Sequence, residues 1–397
     1  MTRKEFWQEA FTTNRIIKDI LIALVLISCL LLFLRIANLE VNSRSWLCDF
    51  YGQWALCAYA FHHVDPFPQI GAETALLPDV GIIPADWGTS PWGLLLGQVF
   101  YPGYLPLAWA KIYFGLIYLG SILLLMVVLY YTLRQQGKFF CVSMMVLATV
   151  SYGYWIAAHD GNCGGIICCL IIIACLLNRR FPILSGVLLG FAMVKPQTAL
   201  LFCFAMLLAR QWKTLMTTSS MVIVAWVIAA WWVDTGSLEL MREFLSANIG
   251  GGKAYPGIME PLRRYWPQLD VMPLSMLVGT LFVWLMWRSK KGQTSMLFLF
   301  TVTAIATDFW CYSWRMECFI LFWPSIVAFY FSFVTHGKFR KLMFLLVGGY
   351  CYLSFYMIHY FLLVLPLHDG FTLYNLGLIL CGLFLCRQRH WEKLNKW

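Results

Sequence analysis

Arg179 to Arg210 reads RRFPILSGVLLGFAMVKPQTALLFCFAMLLAR. The stretch is apolar except near its centre, and basic residues close it at both ends. Basic residues mark the cytoplasmic flanks of membrane segments, so a stretch flanked by them twice enters and leaves through the same face. Its middle, Met193 to Thr198, is MVKPQT. Proline ends a helix, and a lone lysine facing lipid is costly. Two half-length helices of about 12 residues, turning at Lys195 and Pro196, therefore fit better than one span of about 20.

The rest of the chain agrees with this membrane reading. Of its 397 residues 61% are hydrophobic and 12% charged, and the mean hydropathy is +0.71, whereas soluble domains carry roughly 25% charge. The formal net charge of +10 raises the question of nucleic acid. Its distribution answers for topology instead: 20 of the 29 Lys and Arg fall in the segments expected to be cytoplasmic, joined there by Glu5, Glu9, Asp19 and Glu392 alone among the acids. Both termini are then cytoplasmic, and no nucleic-acid partner is expected. Nothing at the start reads as a cleavable signal, because no small-residue cleavage site follows the first apolar run.

Helices are expected at roughly 16–36, 104–133, 139–158, 163–178, 215–232, 271–288, 294–311, 317–334, 341–364 and 371–386. With the two halves of the hairpin this makes an all-α, polytopic membrane protein of about 12 segments, a single domain over 1–397. Two loops on the outer side are long, and long loops seldom serve only to join helices. The first, 37–103, holds Asp49, His62, His63, Asp65, Glu73, Asp79 and Asp86, interleaved with aromatic residues. Its segments 50–61 and 91–100 read as short amphipathic helices in the interface. The second, 234–270, carries Arg242, Lys253, Arg263 and Arg264 beside Tyr255, Tyr265 and Trp266.

Several residues could carry chemistry. A carboxylate such as Asp49 among aromatic rings suits general-base work on a sugar hydroxyl, since rings stack on sugar faces while the acid takes the proton. The alternative is that Asp49 caps the helix beginning at Phe50. Lys195 at bilayer depth suits the phosphate of a lipid-linked substrate. It could equally snorkel, or pair with Asp160 or Asp308. Arg263, Arg264 and Arg315 offer guanidinium forks that match phosphate oxygens, or serve as interfacial anchors. His159, Asp160, Gly161 and Asn162 form a polar turn, a composition that turns also favour for backbone reasons. Arg315 and Glu317 could form a structural pair.

Fourteen cysteines would suggest a disulfide framework in a small secreted domain, but most lie in apolar runs and act as small hydrophobes. Cys48 and Cys57 share the first loop and could pair in an oxidising compartment. A Walker loop, GxGxxG, HExxH, CxxC pairs and GxSxG are all missing from the sequence. No metal, nucleotide or other cofactor is expected.

Four places in order, Asp49 to Phe67 (DFYGQWALCAYAFHHVDPF), Tyr101 to Gly103 (YPG), His159 to Asn162 (HDGN) and Arg179 to Leu201, resemble the polyprenyl-phosphate-dependent glycosyltransferases of GT-C type. The likeness is greatest to family GT87, which includes mycobacterial mannosyltransferases. The resemblance implies a bacterial cytoplasmic-membrane enzyme whose site faces the periplasm or cell exterior. Its partners would be a polyprenyl-phosphate sugar donor, a glycolipid or glycan acceptor and the bilayer. Asp49 stands where the family has an acid taken as the base. Lys195 and Pro196 correspond to the family's KP turn near the carrier phosphate. Where the family shows a Trp-Asp-His-like element, this chain has SWRME, Ser313 to Glu317, so Glu317 stands as a replacement for the missing His. Asp49 and Glu317 are thus the candidate catalytic residues. Lys195, Asp160, Asn162 and Tyr101 are candidates to bind substrate, with Asp65, Arg263, Arg264 and Arg315 beside them.

Two other classes use the same features without chemistry. A flippase for lipid-linked sugar would show paired half-helix interruptions, and one is visible, at Lys195. A non-catalytic subunit of an envelope-polysaccharide complex leaves the acidic, aromatic first loop without a role.

Overall fold

The computed structural model describes residues 48–84, 89–133, 144, 145, 148, 154, 157, 158, 160–249, 271–289 and 296–310. These are helical or irregular, with no strand among them. The helices are α1 (Cys48–Phe61), α2 (Gly93–Leu96), α3 (Leu107–Leu133), α4 (Gly164–Leu177), α5 (Pro182–Ala192), α6 (Pro196–Leu208), α7 (Trp212–Trp232), α8 (Ser237–Ile249), α9 (Val271–Ser289) and α10 (Met296–Trp310). The expected segments at 16–36, 317–334, 341–364 and 371–386 lie outside the described residues, as does most of 139–158.

The expected break in the Arg179–Arg210 stretch is present. α5 and α6 have 11 and 13 residues and part at Met193 to Lys195. Both open on proline, whose missing N–H falls among the orphan donors of a first turn. The residue before a proline is pushed out of the helical region, and Lys195 accordingly has φ −112° and ψ 82°. The pyrrolidine of Pro196 is what places the lysine in the gap between the two half-helices.

The return of the chain follows from contacts at the other end. Thr214, in the first turn of α7, donates from Oγ1 to Pro182 O at 3.0 Å and also to Asn178 Oδ1. The start of α7 therefore touches the start of α5, and α6 carries the chain back between them. Arg179, Arg180, Arg210 and Lys213, all exposed, share this end of the bundle.

α5 and α7 run side by side in one direction. A Cβ on Gly186 would lie 2.6 Å from Thr217 Cβ and 2.7 Å from Thr214 O, and Thr218 Oγ1 donates to Gly186 O at 2.9 Å. Gly186 and Gly190 form a GxxxG step, the small-residue spacing that lets membrane helices approach closely. Sequence reading passed over it inside the apolar run. α4 packs on the other flank of α5, α3 packs on α4, and α10 lies against both α6 and α9.

Two of the described helices, Leu107–Thr132 within α3 and α7, are long and apolar enough to cross a bilayer. α4, α5 and α6 are apolar but shorter.

The first loop differs from expectation. α1 does not lie amphipathically at a surface: Phe50, Trp54 and every residue from Ala55 to Ala60 are buried. Its small residues allow protein to approach from all sides. Gly103 shows how close, since a Cβ there would fall 2.4 Å from Cys57 C and Ala58 N. Gln98 seals that approach, donating from Nε2 to Cys57 O (2.7 Å) and accepting at Oε1 from Gly103 N (2.8 Å). The segment expected as a helix over 91–100 is α2 followed by a 3-10 turn, Gly97–Val99. Cys57 is a free, buried thiol, not a disulfide partner of Cys48, and burial pushes its pKa up. α8 falls in the second loop, where no helix was expected.

Candidate functional site

The site stands at the opposite end of the bundle from the basic cluster, where α5 ends and α4 begins. Its scaffold is the turn Gly161 to Cys163. Asn162 N–H is fixed on Ala157 O at 2.8 Å and Gly161 N–H on Ala158 O at 3.3 Å; Gly161 takes φ +70°, a left-handed value glycine adopts without steric cost. Tyr101 holds the turn from outside. Its hydroxyl donates to Gly161 O (3.2 Å) and accepts Cys163 N–H (2.7 Å). The ring is 1% exposed and stacked on Phe114 at 5.4 Å. Burial holds the phenol well above its ordinary pKa, so it stays protonated and can donate. Tyr101, expected as a substrate contact, gives its hydroxyl to the backbone of this turn.

The side chain of Asn162 joins two candidates that are far apart in sequence. Its Oδ1 accepts from Lys195 Nζ at 2.5 Å and from Gly164 N–H at 2.8 Å. Both of these groups can only donate, so the amide can turn only one way: Nδ2 faces Asp49 and donates to its Oδ2 at 2.6 Å. Asp49, Asn162 and Lys195 are all partly exposed.

Asp49 lies inside the first turn of α1, which begins at Cys48, so it is not the cap of a helix starting at Phe50. The helix dipole favours a carboxylate there. Lys195 meets Asn162, an amide that was not among the partners considered for it. Trp92 was read only as one aromatic among several. Its indole N–H donates to Met193 O at 2.7 Å and ties the first loop to the break that carries Lys195.

Asp160 is half-buried and belongs to the same turn. Asp65 does not join it. Beyond the far end of α1, its Oδ1 accepts Phe67 N–H and its Oδ2 accepts Thr235 Oγ1, each at 3.0 Å. Glu243 of α8 faces it there, with one buried carboxyl oxygen, Oε2, lacking a hydrogen bond. Burial first, then the hydrogen bond and charge of Asp65, push Glu243 up to about 7. Close by, His63 Nδ1 lies 2.8 Å from Trp232 O and its ring stacks on Trp232. Arg263, Arg264, Arg315 and Glu317 lie outside the described residues. Among the described residues, no three His, Cys, Asp or Glu side chains are gathered as metal ligands would be.

The model of glycosyltransferase family 87 matches residues 98–313, more than half of the chain. The chain belongs to that family, and is a membrane-embedded glycosyltransferase. The match takes in Tyr101, Asp160, Asn162, Lys195, Arg263 and Arg264, and leaves out Asp49, Asp65, Arg315 and Glu317. No curated protein and no solved structure matches the chain.

Proposed function

We propose that the protein transfers a hexose or pentose from a polyprenyl-phosphate sugar to a hydroxyl of a glycolipid or glycan, at the outer face of a bacterial cytoplasmic membrane. One observation carries this reading: Asp49 and Lys195 are both hydrogen-bonded to the side chain of Asn162. A base for the acceptor and a cation for the donor phosphate therefore meet on a single amide.

The acceptor hydroxyl oxygen attacks the anomeric carbon, and its proton passes to Asp49. The bond from that carbon to the phosphate oxygen breaks, and polyprenyl phosphate leaves with the electron pair. Lys195 stabilises the charge that grows on the leaving oxygen, a preorganised electrostatic contribution that no nucleotide is needed to supply. One displacement inverts the anomeric centre. Holding both substrates at one bundle end supplies much of the remaining acceleration. Arg263, Arg264 and Arg315 are further phosphate ligands in this reading, Asp160 contacts sugar or acceptor, and Glu317 stands in for a second base; Asp65, held by Phe67 N–H and Thr235 Oγ1, takes no part in it.

The outer-face location is supported by the two ends of the hairpin. Arg179, Arg180, Arg210 and Lys213 crowd one end and the Asn162 network the other, and the positive-inside rule assigns the basic end to the cytoplasm. The full chain then has about 12 helical segments and both termini inside.

The test is transfer by purified protein in detergent from a panel of short-chain polyprenyl-phosphate sugars, with product configuration read by NMR. Transfer with inversion, persisting in EDTA, is expected. Carrier binding without transfer across the panel, or transfer from nucleotide sugars alone, would overturn the proposal.

A further inference from the structure

Asn162 entered as a candidate substrate ligand, but its hydrogen bonds point elsewhere. Its Oδ1 is taken by Lys195 Nζ and Gly164 N–H and its Nδ2 is directed to Asp49. We infer that Asn162 is a positioning residue, which sets the basicity and orientation of the Asp49 carboxylate and ties it to the lysine of the broken hairpin. This rests on the proposed function only in the use made of Asp49; the juxtaposition itself does not depend on it.

The amide is anchored before it reaches either partner. Its own backbone N–H is bonded to Ala157 O, and the following turn is clamped by the Tyr101 hydroxyl on Gly161 O and Cys163 N–H. An anchored donor on a carboxylate oxygen favours the ionised form and fixes the carboxyl plane. Loss of that donor makes Asp49 protonate at higher pH and leaves its orientation to solvent. Among the described residues, the charged and titratable groups on elements beside Asp49 include Lys195 on the same amide, Tyr101, whose phenol feels the Asp49 charge, and Asp160 and Cys163 of the turn. Lys195, a cation on the same amide, favours ionised Asp49. The Asn162 donor is the neutral group they share.

Asn162→Asp separates this role from a turn-forming one. Aspartate keeps an acceptor for Gly164 N–H and for Lys195, and is at home in turns, but it has no N–H to give Asp49 and adds a like charge. Asn162→Ala removes everything.

The measurement is an infrared pH titration of the Asp49 carboxyl in detergent-solubilised full-length protein, with Asp49→Asn identifying the band. Native, Asn162→Ala and Asn162→Asp proteins are compared at matched thermal stability. The Asp49 midpoint is expected to rise by about one pH unit in Asn162→Ala, as for loss of one charge-assisted hydrogen bond, and further in Asn162→Asp. An unchanged midpoint in Asn162→Asp overturns the inference, whatever the protein's activity. If the native protein transfers sugar, the acid limb of its pH–rate profile should move upward with the same midpoint, with kcat falling more than donor KM changes. A native protein that transfers from no polyprenyl-phosphate donor counts against the functional reading alone, because the infrared midpoint is read without turnover.

Discussion

Asp49 and Asp65 stand at opposite ends of α1, both are aspartates of the same acidic, aromatic loop, and their surroundings differ in kind. Asp49 meets an amide that also holds a lysine. Asp65 meets a backbone N–H, a threonine hydroxyl and a second carboxyl, Glu243. The first setting leaves a carboxylate partly exposed and on the same amide as a cation, as a base needs. The second spends one oxygen within its own loop, on Phe67 N–H, and the other on Thr235 of the turn after α7, and its other acid is pushed toward the neutral form. Identical side chains one helix apart thus read as a site and as a clasp.

The largest effect that could break this contrast is on transfer. Asp49→Asn should lower kcat by about 10²- to 10⁴-fold, the usual weight of a general base. Asp65→Asn, which keeps an acceptor for Phe67 N–H, should leave kcat within about threefold of native and act on thermal stability instead. Equal losses in steady-state assays would dissolve the distinction.

Lys195→Met comes next. It keeps the length and apolar stem and removes the charge, so kcat/KM for the lipid-linked donor should fall by about 10²-fold, as for loss of an oxyanion ligand. Transfer that is insensitive to this change would detach the hairpin break from the donor phosphate.

A change at the base of the hairpin sharpens the contrast from outside. Gly186→Leu places carbon where Thr217 Cβ and Thr214 O already lie within 2.7 Å. Overpacking of this sort costs about 1–3 kcal/mol. Thermal unfolding in detergent should drop by several degrees, and donor KM should change little in the protein that remains folded.

The smallest effect concerns the clasp and pH. Glu243 has its folded-state pKa raised from 4.5 to about 7. The unfolded chain ionises first, so stability falls as pH rises through that window and levels off above it. Solvent screening at this partly exposed group keeps the effect modest. Glu243→Gln should flatten the fall in Tm between pH 5 and 7.5 without changing transfer at pH 6, read from Tm against pH for both proteins.

Much of the architecture was legible because its causes are local. Lys195 followed by Pro196 inside an apolar stretch admits few structures, and the basic residues at both ends require the chain to return. Asp49 stood out as an acid where acids are rare. Asn162 was legible as a polar turn residue and a candidate substrate ligand but not as a link: D-G-N composition serves a backbone turn equally well, and its bond to Asp49 depends on bringing residues 49, 162 and 195 together in space. The burial of α1 was hidden for a similar reason, since its alanines and Gly52 suit a surface helix until Gly103 and Gln98 close over it. Tyr101 read as part of a motif, whereas its role comes from two backbone partners sixty residues away.

The most direct measurement asks which end of α1 the donor occupies. A short-chain polyprenyl phosphate with a diazirine on its first isoprene unit would be photolysed with the native protein and with Lys195→Met, and the labelled peptides mapped by mass spectrometry. Labelling of 160–164 and 193–198, lost in Lys195→Met, is the expected result. Labelling centred on Asp65 and Glu243, or indifferent to Lys195, would contradict the account.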